Sequence, residues 1–135
     1  MKTCHLLVVD DDDDLRSSLV EALGQWYLVG GAQDGATALD YLRRCAEQPK
    51  AVLLDVNMPS MAGPEVVAVM RQDPRMAATP VVLMSSRQDL RELAEASGVQ
   101  GWARKPFDFD RLIDLLGRFC APSTGALHAG RALAC

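Results

Sequence analysis

Five short apolar runs alternate along this chain with segments of helical spacing. The runs fall at residues 6–9, 27–29, 51–54 and 81–84, with a weaker one at 101–103. A strand that is apolar at every position has no polar face to offer solvent, so it belongs in a sheet covered on both sides. Between the runs, Leu15, Leu19, Leu23 and Trp26 form one helical stripe. Ala38, Leu39 and Leu42 form a second, and Val66, Val67 and Met70 a third. Leu90, Leu93 and Ala94 make a fourth, and Leu112, Ile113, Leu115, Leu116 and Phe119 the last. Strand and helix in strict alternation give βαβ units, whose right-handed crossovers force a parallel sheet with helices on both faces. The expected fold is therefore α/β, a doubly wound five-stranded parallel sheet.

Local punctuation agrees with these elements. Pro64, directly after Gly63, suits the first turn of a helix, where a missing N–H costs nothing. The pair Asp73-Pro74 ends that helix. Gly98 follows the fourth stripe as a natural terminator, and Asp108 precedes the fifth as an N-cap. Trp26 is expected near the end of the first helix.

Composition narrows the function classes. Fourteen Lys and Arg against eighteen Asp and Glu leave a net charge of −4, which argues against a broad phosphate-binding face and hence against nucleic acid as a partner. No apolar run approaches the roughly 18 residues of a membrane helix, and no signal peptide is expected, because the run at residues 6–9 is too short for one and five aspartates follow it. The expected compartment is the cytoplasm, with Cys4, Cys45, Cys120 and Cys135 as reduced thiols, although their even number allows disulfides. Zinc is not expected, since His5, His128 and the cysteines show no regular ligand spacing. The segment Gly30-Gly31-Ala32-Gln33-Asp34-Gly35 lacks the glycine pattern of a dinucleotide site, and no phosphate-binding lysine follows it.

In an open parallel sheet, ligands bind beyond the carboxyl ends of the strands. The residues found there carry the chemistry. Asp10 and Asp11 follow the first run, within an unbroken series from Asp10 to Asp14. Asp55 follows the third, Ser85 and Ser86 end the fourth, and Lys105-Pro106 follows the fifth. Singly, each has a structural explanation: a solvated acidic run, a turn residue, a cap, a surface charge. Asp12 to Asp14 also suit a helix N-terminus through its dipole. Together they place three carboxylates, a hydroxyl and an ammonium on one rim. Three adjacent carboxylates repel one another unless a cation intervenes. All-oxygen ligands of this hardness suit Mg²⁺, which favours a phosphoryl oxygen as a further partner. A carboxylate can itself accept a phosphoryl group as an acyl phosphate.

These motifs resemble the receiver domain of bacterial two-component response regulators, over about residues 2–119. They are Leu-Leu-Val-Val-Asp-Asp near the start, Leu-Leu-Asp-Val-Asn-Met-Pro with Gly63 beyond it, Val-Val-Leu-Met-Ser, and Lys-Pro-Phe. The resemblance implies a flavodoxin-like receiver fold with strand order 2-1-3-4-5 over residues 1–120, leaving 121–135 as a tail or linker stub. It implies Asp55 as phospho-acceptor and Asp10, Asp11, Asp55 and the Asn57 backbone carbonyl as Mg²⁺ ligands. Asp11 and Asp12 could trade roles in that register. Ser85 becomes the switch hydroxyl, Lys105 the phosphoryl contact and Trp102 the switch aromatic. The Ser86 N–H stands beside the phosphate, and Asn57 and Arg87 match positions that tune dephosphorylation.

The implied activity is phosphorelay signalling, not turnover of a diffusing substrate. A sensor histidine kinase or phosphotransfer protein donates the group. A downstream protein, or a covalently attached output domain, reads the face of helix four, strand five and helix five. Trp102 stands where Tyr or Phe is usual, and Gly101 where an Asp often serves dimer salt bridges. Two alternatives are an aspartyl-phosphate phosphatase, which needs an acid at the position of Asn57, and a scaffold pseudo-receiver that is never phosphorylated.

Overall fold

The computed structural model describes residue 2 and residues 4–122. Most of the expected tail, with His128 and Cys135, lies outside the described residues. Five strands and five helices alternate: β1 (His5–Val9), α1 (Asp13–Leu23), β2 (Leu28–Ala32), α2 (Gly35–Arg44), β3 (Ala51–Asp55), α3 (Gly63–Gln72), β4 (Val81–Ser85), α4 (Leu90–Ser97), β5 (Gly101–Arg104) and α5 (Phe109–Leu116). All pairings are parallel, and the strand order is β2-β1-β3-β4-β5. The fold expected from the apolar runs is the fold observed.

Side-chain alternation along each strand divides the core in two. Leu7, Val9, Val52, Leu54, Val81 and Leu83 point to one face and pack against α2, α3 and α4. Their neighbours Leu6, Val8, Ala51, Leu53, Val82 and Met84 point to the other, against α1 and α5. The three central strands are buried almost without interruption because each face has its own helical layer. Among the described residues, no helix is long and apolar enough to cross a membrane.

The helix ends follow local chemistry. The Asp12 carboxylate accepts from Asp14 N and Leu15 N, capping α1, and Asp13 and Asp14 occupy its first turn. Asp34 caps α2 through Thr37 N, and Asp108 caps α5 through Asp110 N and Arg111 N. Gly98 closes α4 at φ 67°.

Two expectations are corrected. The second strand is not residues 27–29 but Leu28–Ala32, paired with all of β1. Its two glycines hide it in the sequence, yet Gly30 has a packing reason: a Cβ there would lie 2.3 Å from the Tyr41 hydroxyl. Tyr27, only 1% exposed, plugs the core ahead of the strand. Likewise α1 stops at Leu23, and Trp26 lies in the turn beyond it, its ring 5.7 Å from that of Phe109.

Gly63 is where the fold meets the candidate site. A Cβ on Gly63 would stand 2.6 Å from the backbone oxygen of Asp55, because Gly63 N donates to Val56 O at 2.8 Å and draws α3 against the end of β3. Backbone on both sides leaves nothing to rotate away. Gly63→Ala is expected to destabilise the protein by about 1–3 kcal/mol. Gly117→Ala, at an exposed helix end with ordinary right-handed backbone, is expected to stabilise it by about 0.4–1 kcal/mol. Urea unfolding of the two variants checks both, and equal midpoints would refute the close approach.

Candidate functional site

The site forms where the sheet order reverses. The chain leaves β1 toward β2 on one side and later returns to β3 on the other, so a crevice opens beyond β1 and β3. Val9 and Leu54 are register partners, which sets Asp10 and Asp55 side by side. Asp10 is 0% and Asp55 5% exposed, whereas Asp11 is exposed. One carboxylate oxygen from each of Asp10, Asp11 and Asp55 falls within a mutual 4.8 Å.

Lys105 crosses to this pair from the far edge of the sheet. Its Nζ donates to Asp10 Oδ2 at 2.9 Å and to Asp55 Oδ1 at 3.2 Å. The backbone of Lys105 is anchored by its N–H to Ser85 O at 2.9 Å, ahead of a cis Lys105-Pro106 bond. Asp10 is held further by Asp12 N, which donates to its Oδ1 at 2.9 Å, while Arg16 donates to its backbone oxygen at 2.7 Å.

The electrostatics are those of a crowded anionic pocket. Burial, then the Asp10 charge, pushes the Asp55 carboxyl up to about 6, against the downward pull of Lys105. Burial pulls the Lys105 ammonium down, but hydrogen bonds and charge from Asp10 and Asp55 outweigh it, and its pKa ends raised. The Lys105–Asp55 attraction lowers one pKa and raises the other. Asp55 nonetheless ends high because one ammonium shared between two buried carboxylates does not compensate both. A hard divalent cation fits the unmet demand of this all-carboxylate set.

The remaining expected residues lie around this cluster. Ser85 is 2% exposed, and its Oγ accepts from Arg87 N at 3.0 Å. Ser86, next in the chain, and Asn57, two residues past Asp55, are exposed. Trp102 is not in the crevice: it is 39% exposed on β5, with the Arg104 guanidinium 5.5 Å from its ring centre.

Sequence reasoning missed two arginines, Arg16 and Arg104, and the pairing of a third, Arg87, that it had singled out for another reason. Arg16 pairs with Asp13 at 2.6 Å while bracing Asp10, a contact its i,i+3 spacing could have suggested. Arg87 grips Asp89 through two hydrogen bonds of 2.8 Å. Arg104 donates to the backbone oxygen of Arg87, tying β5 to the loop after β4. That last contact has no sequence signal, because two surface arginines carry no complementarity.

A sequence model of the response regulator receiver domain matches residues 6–117. Among curated proteins, the response regulator MprA of Mycolicibacterium vanbaalenii is 35% identical over 112 residues, 81% of this chain and 47% of that protein. The hybrid signal transduction histidine kinase D of Dictyostelium discoideum is 31% identical over 110 residues, 80% of this chain but 7% of its own length. An uncharacterized 14.6 kDa protein of Leptolyngbya boryana is 35% identical over 118 residues, 85% of this chain and 88% of that one. The chain thus spans less than half of several relatives it matches. Among solved structures, the chemotaxis protein CheY4 of Vibrio cholerae superposes with a TM-score of 0.78 at 29% identity, covering 87% of this chain and 98% of that one. The receiver domain of NtrX from Brucella abortus gives 0.74 at 27%, covering 84% and 95%.

The raised Asp55 pKa has a consequence for stability. Below about pH 4, folded and unfolded chains both hold the proton and no penalty exists. As pH rises toward 6, the unfolded chain ionises freely while the folded one resists, so stability is lost. Asp55→Asn abolishes that penalty. In a chelating buffer the variant is expected to unfold at higher urea than wild type at pH 7.5, with the gap closing below pH 4. A gap independent of pH would contradict the assignment.

Proposed function

This chain belongs to the response regulator receiver domain family, and from that premise we propose that it accepts a phosphoryl group on Asp55 from a sensor histidine kinase or phosphotransfer protein. The observation that carries the reading is the Lys105 ammonium bridging Asp10 and Asp55 on a rim shared with Asp11. An Asp55 oxygen attacks phosphorus, the bond from phosphorus to the donor imidazole breaks, and the imidazole keeps the electron pair and takes a proton. Lys105 already stands at Asp55 Oδ1, so it can follow the charge onto a phosphoryl oxygen. Ser85 Oγ accepts from Arg87 N, which leaves its own hydrogen to donate to that group. Asp10, Asp11, Asp55 and the Asn57 carbonyl would hold Mg²⁺. Bound there, the ion would offset charge on the transferring oxygens.

Phosphorylation replaces a carboxylate that shares one ammonium by a bulkier dianion that draws Lys105 and Ser85 toward it. Both residues belong to backbone already joined: Lys105 N bonds Ser85 O, and Arg104 bonds Arg87 O. Movement at Ser85 is thereby transmitted to β5 and to Trp102. Alongside lies a groove of about 760 Å³ lined by Val99, Trp102, Phe107, Arg111, Leu115 and Arg118. We infer that this face of α4, β5 and α5 is read by a downstream protein or an attached output domain. The phosphorelay then works as a two-state element biased by a local charge.

Two measurements test this. With Mg²⁺ and acetyl phosphate, intact mass is expected to show one phosphoryl adduct on wild type and none on Asp55→Asn; labelling of the variant would exclude Asp55. Fluorescence separates the two indoles. Trp26 is packed against Phe109, whereas Trp102 lies half-exposed under Arg104. On adding Mg²⁺ and beryllofluoride, Trp26→Phe is expected to keep most of the emission change and Trp102→Phe to lose it. A full response from Trp102→Phe would remove Trp102 from the switch.

A further inference from the structure

The expectation of four reduced thiols does not hold for two of them: Cys4 and Cys120 form a disulfide, with Cα atoms 6.0 Å apart and 116 residues between them in sequence. Cys4 precedes β1 and Cys120 follows α5, so the bond lies at the end of the sheet remote from the acidic rim. We propose that this pair is a reversible thiol-oxidation site, exchanging with small disulfides of the glutathione class. Its oxidation staples the end of α5 to the start of β1. The inference is independent of the role of Asp55.

The surroundings suit both redox forms. Cys4 is 3% exposed and belongs to the apolar cluster beneath α1 and α5, and Cys120 packs on that cluster from a half-buried position. The two backbones are positioned by other contacts: Leu28 N donates to Cys4 O at 2.8 Å, and the Tyr27 hydroxyl lies 3.4 Å from Cys120 O. Cys4 Sγ is 3.1 Å from Ala121 O, an acceptor for its S–H once the bond is reduced. The buried Cys4 thiol therefore has a partner when reduced, and these backbone contacts do not depend on the disulfide. Cys45 stands apart at the end of α2, its thiol pushed up by burial.

Accessibility orders the chemistry. Cys4 is nearly sealed from solvent while Cys120 is half-buried, so exchange starts at Cys120. The Cys120 thiolate attacks a sulfur of glutathione disulfide, forming a mixed disulfide and releasing one glutathione thiolate. Cys4, losing its proton to solvent, attacks the Cys120 sulfur and displaces the second. Two protein thiols and one glutathione disulfide give one protein disulfide and two glutathiones, and excess glutathione reverses it.

The consequence follows from which element is held. The buried side of α5 carries Leu112, Ile113 and Leu116, while Arg111, Leu115 and Arg118 line the groove beside Trp102. A bond closing nearly the whole domain into one loop removes much of the unfolded chain's freedom. It also fixes the point from which the chain continues past residue 120.

The experiment uses the full chain carrying Cys45→Ser and Cys135→Ser, so that only the pair remains. After glutathione disulfide treatment and denaturation, it is expected to take up no maleimide; after excess glutathione, two. The oxidised form is expected to melt higher by on the order of 10 °C. Adding Cys120→Ser, at the half-buried position, is expected to abolish the redox-dependent shift and leave Cys4 alkylated after both treatments. Full alkylation after oxidation, a bond that excess glutathione cannot open, or equal melting of the two forms would each overturn the proposal.

Discussion

One ammonium group serves two buried carboxylates, and the candidate site depends on that arithmetic. Asp10 and Asp55 are forced together because β1 and β3 are neighbours and each ends in Asp. Lys105 reaches both from β5, two strands beyond β3. It reduces their repulsion without cancelling it, as the elevated Asp55 pKa of about 6 records. A fully neutralised pair would be inert. An under-compensated pocket demands further positive charge, and the proposed phosphorylation of Asp55 would change that demand.

The scaffold can tolerate this concentration of charge because its stability is built elsewhere. The central strands are sealed on both faces by aliphatic side chains, with α1 and α5 on one side and α2 to α4 on the other. The polar demand is confined to the strand ends, where backbone groups no longer pair within the sheet. Asp12 shows the division of labour within the aspartate series: it caps α1, while Asp10, two residues earlier, points into the crevice. Asp13 is spent on Arg16.

The legibility of the sequence follows the same division. Strands β1, β3 and β4 were readable because burial on both faces leaves a continuous apolar run that little else imitates. Strand β2 was half lost because Gly30 and Gly31 break the apolar run after Val29, while the reason for Gly30, the Tyr41 ring, comes from another element. Asp10, Asp55 and Lys105 were legible as strand-end residues of a parallel sheet. The Cys4–Cys120 bond was not, because 116 residues of separation carry no local signal and compartment reasoning favoured thiols. The link from Arg104 to Arg87 was equally hidden, since its acceptor is a backbone oxygen that every residue possesses.

That hidden link matters for how a charge event at Asp55 reaches the surface. Lys105 and Arg104 are adjacent and, by strand alternation, point opposite ways. One enters the crevice at Asp10 and Asp55; the other lies over Trp102 and holds the loop after β4. The loop is itself stiffened by the Arg87–Asp89 pair and by the bond from Arg87 N to Ser85 Oγ. A pull on Lys105 or Ser85 therefore acts on one closed circuit of backbone and arginine contacts, not on two independent side chains. Trp102 occupies the outer turn of that circuit, where a rigid indole can register movement without being swallowed by the core.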